Sequence, residues 1–254
     1  MRKKIFALTI WLLLSCLSGW AQEITIAAAS DLQFALQDVA ARFQKETGHS
    51  VKLIFGSSGN FFTQIQNGAP FDLFFSADVD YPNKLEAAGL AEPGTLYRYA
   101  NGKIVLWVLK DSPLNLDRGL SVLLDPGIKK IAIANPQHAP YGRAAVAALQ
   151  HEKLYDQVAG KFVLGENISQ TASFAVSGSA DVGVIALSLA VASSMKDRGR
   201  FVEVPTEAYP PIQQAAIVLK SSKQKETARQ FLAFLKTPAN QELMRSYGFT
   251  IPAE

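Results

Sequence analysis

The sequence predicts an α/β fold in which buried sheets are flanked by helices. Seven short apolar runs have the length and the β-branched content of strands that are buried on both faces. Helical patterns lie between them, and such alternation favours sheets with right-handed crossovers. The predicted strands are Ile24–Ala28, Val51–Phe55, Leu73–Ser76, Ile104–Val108, Ile131–Ala134, Val182–Ile185 and Ala215–Leu219.

The helices are predicted from apolar spacing and from their stop signals. One stripe of a first helix is formed by apolar residues, namely Leu32, Leu36, Val39 and Phe43. Gly48 is expected to end that helix, since glycine is the preferred residue after a helix C-terminus. Further helices are predicted over Asn60–Asn67, Tyr141–His151, Glu226–Leu235 and Asn240–Ser246.

The N-terminus has the pattern of a secretory signal peptide. Three basic residues at positions 2–4 precede an apolar run over residues 5–17, and small residues at positions 19 and 21 suit cleavage. We expect removal of residues 1–21 and a periplasmic location for the mature chain. Two alternatives stay open: an uncleaved membrane anchor, for which the run is short, and lipidation of Cys16.

Composition excludes several classes of site. Without residues 1–21 the chain keeps 22 basic and 22 acidic residues, so a nucleic-acid partner is not expected. The one cysteine, Cys16, lies in the removed segment, which excludes disulfides, thiolate metal sites and a cysteine nucleophile from the mature chain. His49, His138 and His151 have no metal-ligand spacing. No cofactor is expected.

Four predicted turns from a strand into a helix are rich in hydroxyl and amide groups. Ser30 follows the first strand and, together with Gln33, matches a capping box. Ser58 lies in "FGSSGN", where the glycines permit close approach of the backbone to a ligand. Tyr141 in "NPQHAPYG" and Ile168 in "GENIS" open two further helices.

These turns predict an anion-binding site. Helix N-termini present free N–H groups and partial positive charge. Ligands of open α/β sheets bind beyond the carboxyl ends of the strands, which is where such turns lie. The first two turns contain no Lys or Arg, and Arg143 is expected to be solvated. The pattern indicates a compact, fully deprotonated oxyanion that is held by neutral donors.

Five segments together resemble the periplasmic molybdate-binding proteins of ABC importers: "AAASDLQFALQDVAARFQKETG", "FGSSGN", "GAPFDLFFSAD", "NPQHAPYGRAA" and "LMRSYGFTI". The resemblance runs from Ile24 to Ile251. It implies a two-lobed, Venus-flytrap fold in which each lobe is a mostly parallel sheet flanked by helices, with the ligand in the interlobe cleft. It also implies a non-enzymatic protein that delivers molybdate or tungstate to a membrane permease and its ATPase. We expect a monomer.

The resemblance implies roles for five residues. Ser30 and Ser58 match the family's two serines, each of which donates its hydroxyl and its backbone N–H to the anion. Tyr141 and Ile168 match positions whose backbone N–H groups bind the anion, and the Tyr141 phenol is a further candidate donor. Asp31 is expected to contribute its backbone N–H, with its carboxylate turned away.

Two positions depart from the family pattern. Some members have a tyrosine where this chain has Ala186, and we expect Tyr141 to replace that donor from the opposite side. Many relatives have an uncharged residue in place of Asp31. Its carboxylate would repel a dianion unless it pointed to solvent or the ligand brought a proton.

Two connections between the lobes are predicted. Asn101-Gly102 marks a turn, and Pro210-Pro211 fixes an extended segment. Lobe one would then comprise residues 22–100 and 210–254, and lobe two residues 101–209. Connections of this kind allow hinge closure over a ligand.

Several alternatives stay open. Another oxyanion, phosphate or sulfate, is one, and Asp31 favours phosphate because a carboxylate can accept the proton of hydrogen phosphate. A secreted hydrolase would use a serine of "GSSG", but this motif is one residue short of a nucleophile elbow. His138, its sole candidate base, is expected to be a surface-loop residue. Asp72, Asp78 and Asp80 lack the glycine turn and distal glutamate of a calcium loop.

Overall fold

The computed structural model describes residues 22–252. The predicted signal peptide, its cleavage and the lipidation of Cys16 lie outside these residues. The strands are β1 (Glu23–Ala29), β2 (Ser50–Gly56), β3 (Leu73–Ser76), β4 (Tyr97–Gly102), β5 (Ile104–Leu109), β6 (Ile131–Ala134), β7 (Phe162–Gly165), β8 (Val182–Ala186), β9 (Gly199–Glu203) and β10 (Ile212–Val218).

The α-helices cover the two sheets that these strands form. They are α1 (Gln33–Thr47), α2 (Ser58–Gln66), α3 (Asp80–Ala87), α4 (Pro140–His151), α5 (Tyr155–Val158), α6 (Ile168–Val176), α7 (Leu187–Ala190), α8 (Ser193–Lys196), α9 (Lys225–Leu235) and α10 (Pro238–Ser246). Short 3-10 helices occupy Ser30–Leu32, Leu116–Leu124, Ala159–Lys161 and Thr206–Ala208.

Each lobe is built on one five-stranded sheet. The strand order is β2-β1-β3-β10-β4 in lobe one and β7-β6-β8-β5-β9 in lobe two. In each sheet four strands share a direction and one is reversed: β10 is antiparallel to β3 and β4, and β5 is antiparallel to β8 and β9. This confirms the predicted two-lobed α/β fold with mostly parallel sheets.

Both reversed strands follow a connection between the lobes. β4 ends at Gly102 and β5 begins at Ile104, so the first connection is very short. The second lies between β9 and β10 and contains Pro210 and Pro211. The exact lobe bounds, residues 22–100 with 210–254 and residues 101–209, stay a prediction.

Three strands have no counterpart among the predicted ones: β4, β7 and β9. All three lie at an edge of their sheet and contain exposed or half-buried residues. A continuous apolar run is most typical of strands that are covered on both faces, so it identifies edge strands less reliably. It predicted the edge strand β2 but not these three.

The core of lobe one explains why its sheet is covered on both sides. Alternate residues of β1 face opposite sides, since successive side chains of a strand point apart. Ile24 and Ile26 pack with α1, α9 and α10, whereas Ala27 packs with Phe61 of α2. Helix α1 ends at Gly48, whose φ of 77° is left-handed, as predicted.

No helix within residues 22–252 combines the length and the apolarity that a membrane crossing requires.

Candidate functional site

A small cavity lies between the lobes, at the carboxyl ends of the central strands. Its empty volume is about 190 Å³. All five residues predicted for the site line it, and the remaining lining residues are Ala29, Gly56, Ser57, Ala77, Ala139 and Pro140. A larger open cleft of about 890 Å³ lies in lobe two beside Leu109 and Asp181, away from these turns.

Three helices begin at the wall of this cavity: α2 from lobe one, and α4 and α6 from lobe two. The backbone N–H groups of Ser58, Tyr141 and Ile168 belong to their first turns, where no intrahelical acceptor exists. None of the three donates to an acceptor within residues 22–252. Both lobes therefore present unpaired donors to one small space, which suits an anion.

The Ser58 hydroxyl adds a fourth donor. Its Oγ accepts a hydrogen bond from the Ala77 backbone N–H at 2.9 Å, and the side chain is buried. A hydroxyl carries one proton, and no acceptor for it is found in the described part of the chain. The bond from Ala77 therefore orients the oxygen and leaves its proton for a ligand.

The predicted capping box of Ser30 and Gln33 is wrong. The Ser30 hydroxyl donates to Asn167 Oδ1 at 3.2 Å and accepts from the Ser169 backbone N–H at 3.3 Å. Gln33 accepts instead from the Ser169 hydroxyl, at 2.9 Å. Because the start of α6 packs against this turn, lobe two supplies the partners that a capping box would have supplied locally.

Asp31 is buried in the wall of the cavity, with 1% of its surface exposed. Its Oδ2 accepts from the Tyr141 hydroxyl at 2.9 Å and from Gln214 Nε2 at 2.7 Å, whereas Oδ1 has no hydrogen-bond partner among the described residues. A carboxylate that points to solvent, one of the two arrangements that would have relieved repulsion, is therefore excluded.

Burial raises the pKa of Asp31 from 3.8 to about 6, although hydrogen bonds from Gln214 and Tyr141 favour the charged form. Burial also raises the pKa of Tyr141 and Tyr99 well above the ordinary value, and the charge of Asp31 adds to both shifts. Both phenols therefore remain protonated donors.

The Tyr141 phenol does not replace the donor that is missing at Ala186. Its proton goes to Asp31, and its oxygen accepts from Gln214 Nε2 at 2.9 Å. Only the backbone N–H of Tyr141 is left without an acceptor among the described residues. Ala186 is fully buried at the end of β8.

Three residues around Asp31 were missed in the sequence. Gln214 on β10 holds Oδ2, Tyr99 on β4 donates to Gln214 Oε1 at 2.7 Å, and Ser188 on α7 donates to the Asp31 backbone oxygen at 2.7 Å. They come from strand or helix positions without a turn signal. The one available sign was the polar pair Gln213 and Gln214 beside the apolar run of this strand, and only Gln214 is buried.

His138 lies in a loop, as predicted, but it is half-buried there because it joins the two lobes. Its Nδ1 lies 2.9 Å from Ser57 Oγ, and its backbone oxygen accepts from the Ser57 hydroxyl at 2.5 Å. Since the serine proton goes to that carbonyl, the ring nitrogen donates to Oγ rather than accepting from it. On the other side, Glu166 Oε2 lies 3.7 Å from the imidazole.

Arg143 is also not simply solvated. It forms an ion pair with Asp78 of lobe one, and its guanidinium lies over the Tyr81 ring, 5.7 Å from the centroid. Asp78 is thus an interlobe residue.

Asp72 accepts from the Thr25 backbone N–H within lobe one. Among residues 22–252, no cluster of His, Cys, Asp and Glu suits a metal ion.

One family model matches nearly all of the described chain. Residues 24–250 match the bacterial extracellular solute-binding proteins. The chain belongs to this family.

Relatives within this family share much of the sequence. The molybdate-binding protein ModA of Rhodobacter capsulatus is 39% identical over 90% of this chain and 88% of its own length. The protein of the same name from Azotobacter vinelandii is 38% identical over 93% of each chain. The solved structure of the periplasmic molybdate-binding protein of Azotobacter vinelandii superimposes with a TM-score of 0.86 at 37% identity, covering 91% of this chain and 100% of that one.

Proposed function

We propose that this protein captures molybdate or tungstate outside the cytoplasm and delivers it to an ABC import permease and its ATPase. The observation that carries the proposal is the convergence of unpaired N–H groups from both lobes on one small cavity. The cavity lining contains no Lys or Arg within residues 22–252. The relatives named for molybdate binding support the choice of anion.

Binding would rest on oriented dipoles rather than on ion pairs. The N-termini of α2, α4 and α6 point partial positive charge at the cavity, and the Ser58 hydroxyl points a proton at it. The Ser30 hydroxyl bridges to α6 and donates its proton to Asn167, so Ser30 would contribute its backbone N–H. Because the donors belong to different lobes, one anion accepts from both and stabilises their closed arrangement.

The same arrangement argues against the secreted hydrolase. A serine nucleophile needs a base that takes its proton, and the Ser57 proton is donated to the backbone oxygen of His138. The contacts between Ser57 and His138 join the lobes beside the cavity. We therefore propose a binding protein without catalytic activity and without a cofactor.

Secretion through residues 1–21 and a monomeric state complete the proposal. The family of extracellular solute-binding proteins supports an extracytoplasmic location. Mass spectrometry of the secreted chain distinguishes cleavage after Ala21 from lipidation of Cys16.

Isothermal titration of the mature protein with molybdate, tungstate, sulfate and phosphate tests the ligand. We expect tight binding of the first two anions and little heat from the others. Binding of phosphate alone, or of none of the four, would refute the proposal.

The Ser58→Ala variant tests the site. Loss of one hydroxyl donor to a charged ligand should weaken molybdate binding by about 2 kcal/mol, which is roughly thirtyfold, while the fold persists. Ser221→Ala is the matched control, because Ser221 is an exposed serine of the same lobe. Equal affinities of the two variants would remove Ser58 from the site.

A further inference from the structure

Asp31 Oδ1 differs from every other buried polar side-chain atom that the structure describes. It alone, within residues 22–252, is buried without a hydrogen-bond partner. The other oxygen of the same carboxyl group accepts two hydrogen bonds. A buried oxygen without a partner carries a large desolvation penalty if the group is charged. The structure therefore leaves this atom in need of a partner at the cavity wall.

The arrangement around Oδ2 decides where a proton on this carboxyl group would lie. Tyr141 and Gln214 both point donors at Oδ2, and a proton there would face two other protons. A proton on Asp31 therefore sits on Oδ1, where it needs an acceptor. The other unpaired groups identified among the residues that line the cavity are donors, namely the N–H groups of three helix starts and the Ser58 hydroxyl. An oxygen atom of the bound anion is the acceptor that fits.

Neighbouring groups do not neutralise an ionised Asp31. Tyr141 from α4 contacts its carboxylate directly, Tyr99 from β4 acts through Gln214 of β10, and Ser188 from α7 contacts only its backbone oxygen. Within the described residues, no Lys, Arg or His forms a hydrogen bond or ion pair with the carboxylate. The backbone N–H groups of Asp31 and Leu32 favour the charged form, yet neither is in hydrogen-bonding geometry with Oδ1. An ionised carboxylate would thus meet a dianion at close range in a buried site.

We infer that the protein binds its tetrahedral dianion together with one proton, which Asp31 Oδ1 holds and donates to an oxygen of the anion. This inference rests on the proposed function. The ionised carboxylate takes one proton from solvent as the dianion enters, and the proton returns to solvent when the anion leaves. The raised pKa of Asp31 agrees with this, because it lowers the cost of protonation at neutral pH. A monoprotonated anion such as hydrogen phosphate would bring the proton itself.

Proton uptake on binding tests the inference. Molybdate is titrated into the mature protein at pH 8 in buffers of different ionisation enthalpy, and the slope of the measured heat against that enthalpy gives the number of protons taken up. We expect about one proton for the wild type. We also expect the apparent Kd to rise by about tenfold per pH unit between pH 7 and 8.5, as linkage of one proton requires.

Asp31→Asn is the decisive variant. An asparagine keeps an acceptor for Tyr141 and Gln214 and places an amide donor where Oδ1 lies. The Asp31→Asn variant should take up no proton when it binds molybdate, and its Kd for molybdate should not change with pH. Asp111→Asn replaces an exposed aspartate away from the cavity and should behave as the wild type does. A second readout avoids mutation: infrared difference spectra of the wild type should gain the C=O band of a carboxylic acid when molybdate binds.

The possible outcomes separate the inference from the function on which it rests. Tight molybdate binding without proton uptake and without the carboxylic-acid band would overturn the inference and leave the proposed function intact. Uptake of a proton that persists in Asp31→Asn would assign it to another group and would also overturn it. Failure of the wild type to bind molybdate at either pH would overturn the proposed function first.

Discussion

The two lobes meet in two regions that use charge in opposite ways. At the rim of the cleft, Arg143 pairs with Asp78, and Glu166 accepts from Asn60 at 2.5 Å. These side chains keep contact with water: 40% of Arg143 and 59% of Glu166 are exposed. Inside the cavity, Asp31 is the one ionisable carboxyl group among the described lining residues, and it is almost fully buried.

The difference between rim and cavity shows which charged groups can lie where the lobes meet without a large free-energy penalty when the cleft closes. Exposed ion pairs form and separate at little cost, because water screens them in both states. Desolvation destabilises a buried carboxylate in every state in which it is ionised. The rim can therefore guide closure, whereas a charge inside the cavity affects stability and binding strongly.

The largest expected effect is on the pH dependence of stability. Folding raises the pKa of Asp31 from 3.8 to about 6, so the folded state binds this proton more tightly than the unfolded state does. The contribution of Asp31 to the free energy of unfolding is largest below pH 3.8 and is lost as the pH rises through about 6. Relative to Asp31→Asn, the free energy of unfolding of the wild type should fall by about 3 kcal/mol across this window.

Urea denaturation between pH 4 and 7, without an oxyanion present, measures this loss. Asp111→Asn controls for the removal of one carboxylate at an exposed position. If the difference in the free energy of unfolding between the wild type and Asp31→Asn stayed constant over this range, burial would not shift the pKa of Asp31.

The next effect concerns the close approach of the lobes. A Cβ at Gly59 would lie 2.7 Å from the backbone oxygen of His138, to which the Gly59 N–H donates at 2.9 Å. Gly59→Ala must therefore separate the lobes, and overpacking of this kind costs about 2 kcal/mol. Molybdate affinity should fall by roughly thirtyfold, and X-ray scattering should show a larger radius of gyration with the ligand present.

Gly160→Ala is the matched control for this variant, since a Cβ at Gly160 meets nothing within 4 Å. If Gly59→Ala bound molybdate as Gly160→Ala does, the contact between Gly59 and His138 would have no role in closure.

The smallest effect is expected at the rim. Asp78→Asn removes the partner of Arg143 and should weaken molybdate binding by less than about 1 kcal/mol, with a difference that shrinks as salt is added. Glu242→Gln is the control, because its ion pair with Arg245 lies within α10 and does not join the lobes. A loss of affinity as large as that of Gly59→Ala would contradict the contrast between rim and cavity.

Much of the fold could be predicted from the sequence because its signals are local. Apolar runs identified the central strands, and Gly48 identified the end of α1. The turns that open α2, α4 and α6 identified residues that line the cavity, since a helix N-terminus after a strand has a fixed place in an α/β sheet. Their contact with an anion stays a prediction.

The surroundings of Asp31 and Ser30 depend on the tertiary structure instead. Gln214 and Tyr141 lie 183 and 110 residues from Asp31 in the chain, and Asn167 lies 137 residues from Ser30. Local preference predicted a capping box, which contacts between the lobes replaced. For the Asp31 carboxylate the sequence left two arrangements open, and its burial excludes the one that points to solvent. Local chemistry determines where a helix starts, but burial and long-range hydrogen bonds determine what a side chain at that start contacts and whether it carries a charge.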